Sequence, residues 1–179
     1  LLQDEVIYTI SNVRNYSKSL YEHSLSVAAL SILVAVRAGY SQAETKEIAM
    51  GALLHDIGLI YLPIDIHNVN IDTCDASVLK EVKRHVIHGY SAVEKENWLP
   101  MAAKDIIVNH HERMDGSGYP FRLTGDKISL ETKIVSLCDE FDSMVYGHCR
   151  NKRKIRETMD YITSQAGVKF DFKVVQVFL

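Results

Sequence analysis

The sequence predicts an all-helical domain, and three observations carry that prediction. Apolar residues recur at helical spacing almost throughout, and only three prolines interrupt them. The composition, 47% hydrophobic with 24% charged, is that of an ordinary globular protein and not of a disordered chain. At 179 residues the chain is long enough to bury one core unaided, so a single compact domain over 1–179 is expected. It begins Leu1-Leu2 without an initiator methionine, which reads as an output domain excised from a longer protein.

Taken in order, the spacing predicts a first helix over 3–17. A second, over 18–38, has Val27, Leu30 and Val34 on one stripe and Gly39 as its stop. Ser41 and Glu44 form a capping box that opens a third helix through Leu53-Leu54-His55-Asp56, which Gly58 breaks. Residues 61–75 carry Pro63 and no period and read as a loop. A single helix is expected over 76–95 and a shorter one over 101–111. Beyond a glycine-rich loop, Ser129 caps a helix to about Tyr146. Two last helices, over 152–165 and 171–178, flank Gly167.

A formal charge of −3 and a pI near 6.2 give no bulk attraction for nucleic acid or anionic lipid. A phosphate-bearing partner would have to be held by local charge. Cys74, Cys138 and Cys149 are odd in number and lie in no CxxC spacing, which predicts reduced thiols in a cytoplasmic protein. The most apolar stretch, Ala28 to Val36, is interrupted at Ser31 and is expected to be too short to span a bilayer.

The chemistry is carried by histidines and aspartates placed on apolar stripes. His23 shares the face of Val27 and Leu30. His55-Asp56 follows Leu53-Leu54, His85 follows Leu79 and Val82, and His110-His111 follows Ile106-Ile107. Asp139 lies four residues after Val135. Any one of these could be a hydrogen-bonded core residue. Seven inward polar groups from five helices need common partners, because each is costly to bury alone. A metal supplies them, and imidazole with carboxylate suits iron, manganese or zinc. The ligand number suits two ions, which an aspartate can bridge when they are about 3.5–4 Å apart. Adjacent histidines can serve one ion only if the helix ends there, since helical neighbours point about 100 degrees apart.

With these residues in view the chain resembles the HD-GYP family, a branch of the HD phosphohydrolase superfamily associated with bacterial cyclic di-GMP turnover. The matching pieces run in the family's order: EHS at 22–24, ALLHDIG at 52–58, HVIHG at 85–89, HHERMDGSGYP at 110–120, CDEFDSM at 138–144 and AGVKFD at 166–171. The resemblance implies the compact helical fold of that superfamily with a buried metal centre. It implies one ion on His23, His55, Asp56 and Asp139, and a second on His85, His110 and His111, with Asp56 bridging and thus catalytic. Iron or manganese is expected ahead of zinc. A hydroxide bridging the two metals would attack phosphorus in line, opening cyclic di-GMP to linear pGpG and in some members to GMP.

The departures thin the substrate-facing cations. Leu59 stands where the family commonly has a lysine after the HD pair. Ser19 stands where members with a third metal carry glutamate. Val145 to Asn151 replaces a basic stretch and keeps Arg150 out of register, and Met114 replaces an aromatic. Arg113, Tyr119 and His148 are the candidate substrate contacts, with a loop salt bridge through Glu112 as the competing role for Arg113. Tyr119 and Pro120 also offer a surface for partner signalling domains. The basic run Arg150, Lys152, Arg153, Lys154 and Arg156 reads as a solvated face, not a nucleic-acid footprint. His67 and His88 read as solvated or hydrogen-bonded. Two rivals to a full cyclic dinucleotide phosphodiesterase remain: a weakly active sensor that keeps its metal, and a broader nucleotide hydrolase.

Overall fold

The computed structural model of the protein describes residues 2–179. Among the described residues nine helices follow one another: α1 Leu2–Tyr16, α2 Lys18–Arg37, α3 Gln42–Leu54, α4 Ala76–Val82, α5 His85–Val93, α6 Met101–Asn109, α7 Leu130–Tyr146, α8 Ile155–Ser164 and α9 Phe172–Phe178. Short 3-10 turns lie at Ile57–Tyr61 and Gly125–Lys127. Among the described residues the only β pairing is two isolated bridges, so the all-α expectation holds.

The starts of the helices are set by side chains that accept otherwise unpaired backbone N–H groups. Ser17 accepts from Leu20, and Ser41 and Glu44 complete the capping box. Ser129 accepts from Thr132, and Asp171 from Lys173 and Val174. The expected helix over 76–95 is instead two, α4 and α5. At the joint, the amides of Arg84 and Ile87 bond to carbonyls three residues back, at 3.0 Å each, so the four-residue ladder is interrupted there. Periodicity could not reveal this, because the apolar stripe runs on across the break.

Two hydrophobic clusters meet along α6. Ile106 packs with Val27, Ala35, Ile48, Val135, Ile162 and Val175. Its neighbour Ile107 packs with Val13, Leu20, Leu54, Ile57, Leu59 and Val93. Each such fully buried aliphatic side chain contributes about 1.5–3 kcal/mol. The histidine pair therefore leaves a helix gripped from both sides. Asp105 ties that helix to α7, accepting from Ser129 Oγ at 2.6 Å and Thr132 Oγ1 at 2.9 Å.

The 20 residues of α2 are long and apolar enough, by length and composition, to cross a membrane. The expected shortness of the apolar stretch is thereby corrected: the helix runs well beyond Ala28 to Val36. In the fold it buries His23, Ser24 and Ser31 together with Leu20, Val27 and Val34.

One close contact positions the site. A Cβ on Gly58 would lie 1.8 Å from the His85 carbonyl oxygen and 2.5 Å from the Gly89 amide nitrogen. The turn after His55-Asp56 thus rests backbone to backbone on α5, which only glycine allows.

Candidate metal centre

α6 ends at Asn109, and His110 and His111 follow at its C-terminus, so both rings reach one space as the sequence requires. His23 comes from α2, His55 and Asp56 from the end of α3, His85 from the start of α5, and Asp139 from the middle of α7. All are buried except His111, whose side chain is 21% exposed where it meets a cavity.

Four of the imidazoles are fixed by their Nδ1 atoms. His55 Nδ1 lies 2.7 Å from the Ala52 carbonyl oxygen, and His85 Nδ1 2.7 Å from that of Val82. His110 Nδ1 faces the carbonyls of Ile106 and Ile107 at 3.2 and 3.1 Å. A carbonyl can only accept, so these nitrogens donate and the Nε2 lone pairs are left to point inward. His23 Nδ1 lies 2.6 Å from Asp142 Oδ2, and Ser26 donates to the other oxygen of that carboxylate. Asp142 went unnoticed in the sequence; its signal was its place three residues after Asp139, one turn along the same helix face.

The Nε2 atoms converge on Asp56 from two sides. Its Oδ1 lies 3.1 Å from His85 Nε2 and 3.5 Å from His110 Nε2. Its Oδ2 lies 3.4 Å from His55 Nε2 and 3.9 Å from His23 Nε2. Asp139 Oδ1 is 3.2 Å from His23 Nε2 and 3.8 Å from His55 Nε2. Two ligands of one ion, with bonds of about 2.1 Å, stand about 3–3.4 Å apart in octahedral or tetrahedral geometry. The Nε2 atoms of His23 and His55 are buried with no hydrogen-bond partner among the described residues. Unpaired lone pairs at ligand spacing are what an ion would satisfy, so the residues fit divalent metal. Two ligand groups that share no residue emerge, Asp56 with His85, His110 and His111, and His23 with His55 and Asp139; a third, His23 with Asp56 and His148, overlaps both.

The electrostatics agree. Burial pushes the Asp56 carboxyl upward, but His55, His110 and His148 outweigh it and hold it well below the usual carboxylate range. Asp139 is likewise held well below by His23, His111 and His55 against its burial. Burial lowers His55, yet Asp56 and Asp139 push it up to about 9. Burial and the neighbouring His110 push His111 well below the ordinary imidazole range. Two buried carboxylates thus keep negative charge where a cation would sit.

The floor opens into a cavity of about 300 Å³ whose lining includes Asp56, Leu59, Lys83, Arg113, Tyr119 and Arg150. Tyr119 stacks on His111 with ring centroids 4.7 Å apart, and Lys83 Nζ lies over the Tyr119 ring at 5.0 Å from its centroid. Arg113 lines the cavity, but its guanidinium meets Glu140 at 2.9 Å and Ser136 at 2.5 Å. Arg150 meets the same Glu140 at 3.0 Å. Glu112 takes no part in a salt bridge with Arg113; its buried carboxylate accepts the amides of Phe121 and Leu123 at 2.6 and 2.9 Å and so holds the loop. Gly118 permits that fold, since a Cβ there would lie 2.5 Å from the Arg113 nitrogen and the His111 oxygen. His148 reaches the cavity wall beside Asp56. Lys83, Glu140 and Arg150 were missed as site residues. Lys83 falls at the unforeseen helix break, and Arg150 reads in sequence as part of a solvated basic run.

An all-helical domain with a buried His/Asp cluster beneath a cavity defines a class, helical domains whose side chains fit divalent metal. The HD domain family model matches residues 9–174. The chain is 36% identical over 154 residues to the cyclic di-GMP phosphodiesterase response regulator RpfG of Xanthomonas campestris, covering 82% of this chain and 39% of that protein. It is 30% identical over 181 residues to 3'3'-cGAMP-specific phosphodiesterase 2 of Vibrio cholerae, covering 98% of this chain and 34% of that one. Among solved structures, Bd1817, an HDGYP protein from Bdellovibrio bacteriovorus, superposes with a TM-score of 0.75 at 24% identity, over 94% of this chain and 55% of that one. The chain belongs to the HD domain family, in the HD-GYP branch whose motifs it carries. It spans less than two fifths of the length of these two curated relatives.

Proposed function

We propose that this domain is a metal-dependent phosphodiesterase that hydrolyses cyclic dinucleotides, cyclic di-GMP first among them. The observation that carries the reading is the Asp56 carboxylate, each of whose oxygens faces its own set of imidazole nitrogens beneath a cavity. In this reading His23, His55, Asp56 and Asp139 hold one ion, and Asp56, His85, His110 and His111 the other, with iron or manganese as the natural occupants. Such a pair supplies Lewis-acid charge at the phosphoryl oxygens and water made nucleophilic at neutral pH.

The chain's own residues do the rest. The carbonyl-bound Nδ1 atoms hold His55, His85 and His110 in one orientation, with Nε2 as the nitrogen left for an ion. Tyr119 and Leu59 give the cavity apolar surface against which a purine can lie, and Lys83 offers a cation to the second phosphate. Arg113, held by Glu140 and Ser136, positions the loop that carries Tyr119. The 3'3'-cGAMP specificity in the relative's name makes the mixed dinucleotide the first alternative substrate. A cytoplasmic site of action, and partner domains engaged through the Gly118-Tyr119-Pro120 loop, accompany the proposal.

The test is turnover by protein loaded anaerobically with iron or manganese and offered cyclic di-GMP, 3'3'-cGAMP and cyclic di-AMP, with products separated by chromatography. Linear dinucleotide from at least one of them is expected; intact substrates throughout overturn the reading. A second reading, a slow sensor that retains its metal, is favoured by buried Leu59 in the cavity and by the shared neutralisation of Arg113 and Arg150 on Glu140. It predicts nucleotide binding in which wild type and His110→Ala hydrolyse equally slowly.

A further inference from the structure

An imidazole outside the two ligand groups points at the same floor. His148 lies just past the end of α7, with its side chain only 9% exposed and its Nε2 3.7 Å from Asp56 Oδ2. Its Nδ1 is buried with no hydrogen-bond partner among the described residues, and its Nε2 is 3.7 Å from the Cys149 sulfur, a weak contact. Nothing holds the ring at Nδ1, so its orientation is left to what its nitrogens meet on the floor.

Asp56 Oδ2 is therefore faced by three Nε2 atoms, those of His55 at 3.4 Å, His148 at 3.7 Å and His23 at 3.9 Å. All three stand beyond the 3.2 Å of a well-made N–H···O hydrogen bond; His55 is at the spacing of ligands around one ion, and His148 and His23 lie about 0.3 and 0.5 Å outside it. His23, Asp56 and His148 offer ligand atoms that lie within 4.8 Å of one another.

We propose that His148 is a ligand of the first ion, which then has His23, His55, Asp56, Asp139 and His148 around it. This rests on the reading of the floor as a two-ion centre. The rings of His23 and His148 stack 9° from parallel with centroids 4.2 Å apart, whereas lone pairs lie in the ring planes. The rings must splay for both nitrogens to meet one ion. His23 is held by Asp142, so His148, with no bond at Nδ1, is the ring that turns. Coordination would also hold the segment after α7, whose Cys149 carbonyl accepts from the Ile71 amide at 2.8 Å, over the cavity.

Chelator-stripped wild type, His148→Ala and His148→Phe are titrated with Mn(II) and with Co(II), following bound ions by elemental analysis and calorimetry and the cobalt site by visible absorption. The Phe variant keeps the stacked ring without a donor, and melting in chelator checks that each variant is folded. Two ions are expected in wild type. In both variants one ion should weaken about tenfold or more with an altered cobalt spectrum, while the other keeps its affinity. Two ions at wild-type affinity and an unchanged spectrum in the folded variants overturn the proposal; weakened nucleotide binding in that case makes His148 a substrate contact. Wild type that takes up no ion overturns the two-ion centre and this proposal together.

Discussion

The floor of the cavity and its wall differ in how their charged groups are committed. On the floor, His23, His55, His85 and His110 are each held at Nδ1, and their Nε2 atoms are left for a ligand. On the wall, Arg113 and Arg150 are both engaged by Glu140, Leu59 is apolar, and Lys83 is paired with no carboxylate among the described residues. The floor is preorganised for a cation whichever nucleotide arrives. The wall, which in the proposed function would recognise the nucleotide, carries little uncommitted charge. Metal chemistry and substrate choice are therefore separable in this domain, and substitutions should affect one without the other.

The sharpest way to break that separation is Asp56→Asn. It removes the carboxylate whose two oxygens each face a pair of imidazoles, and both ions should be lost, with metal content falling from two per chain to none and turnover falling by at least about 1,000-fold. Elemental analysis decides it: a variant that keeps both ions shows that Asp56 does not bridge. Asp142→Asn touches no ion and loosens only the hold on His23. About 10–100-fold weaker binding of one ion is expected, with the other unchanged, when the two are resolved by calorimetry. Equal weakening of both would mean that the floor acts as one undivided unit. The smallest effect belongs to the wall. Lys83→Ala should raise KM about five- to tenfold, near 1–1.4 kcal/mol, with kcat and metal content unchanged, and Lys83→Arg should recover most of it. A fall in metal content in Lys83→Ala would erase the distinction between floor and wall.

What could be read in the sequence follows the same division. The residues that converge on the floor were legible because a histidine or aspartate is conspicuous on an apolar stripe, and because EHS, HDIG and HHERMDGSGYP stand together in one chain. The helix boundaries around them were legible from caps such as Ser41 with Glu44. The break between α4 and α5 was not, since apolar spacing continues through Lys83 and Arg84 while the hydrogen-bond ladder changes step. The wall was the least legible. That Arg113 and Arg150 share one carboxylate depends on a loop and a helix end meeting in space, which local spacing does not encode. His148 is a mixed case: the sequence marks it as a candidate substrate contact, but its place beside Asp56 depends on the turn after α7.

The contact of Gly58 with α5 has a consequence for any attempt to redesign this centre. Because the backbone after Asp56 rests directly on the backbone of His85, where a Cβ would come within 1.8 Å of the His85 oxygen, no side chain acts as a spacer between the two ligand-bearing segments. The gap between them is a mechanical stop, set by atoms that every sequence shares. Repacking the core around it can alter how firmly the stop is pressed closed, but the spacing it sets between Asp56 and His85 should stay the same across otherwise divergent variants.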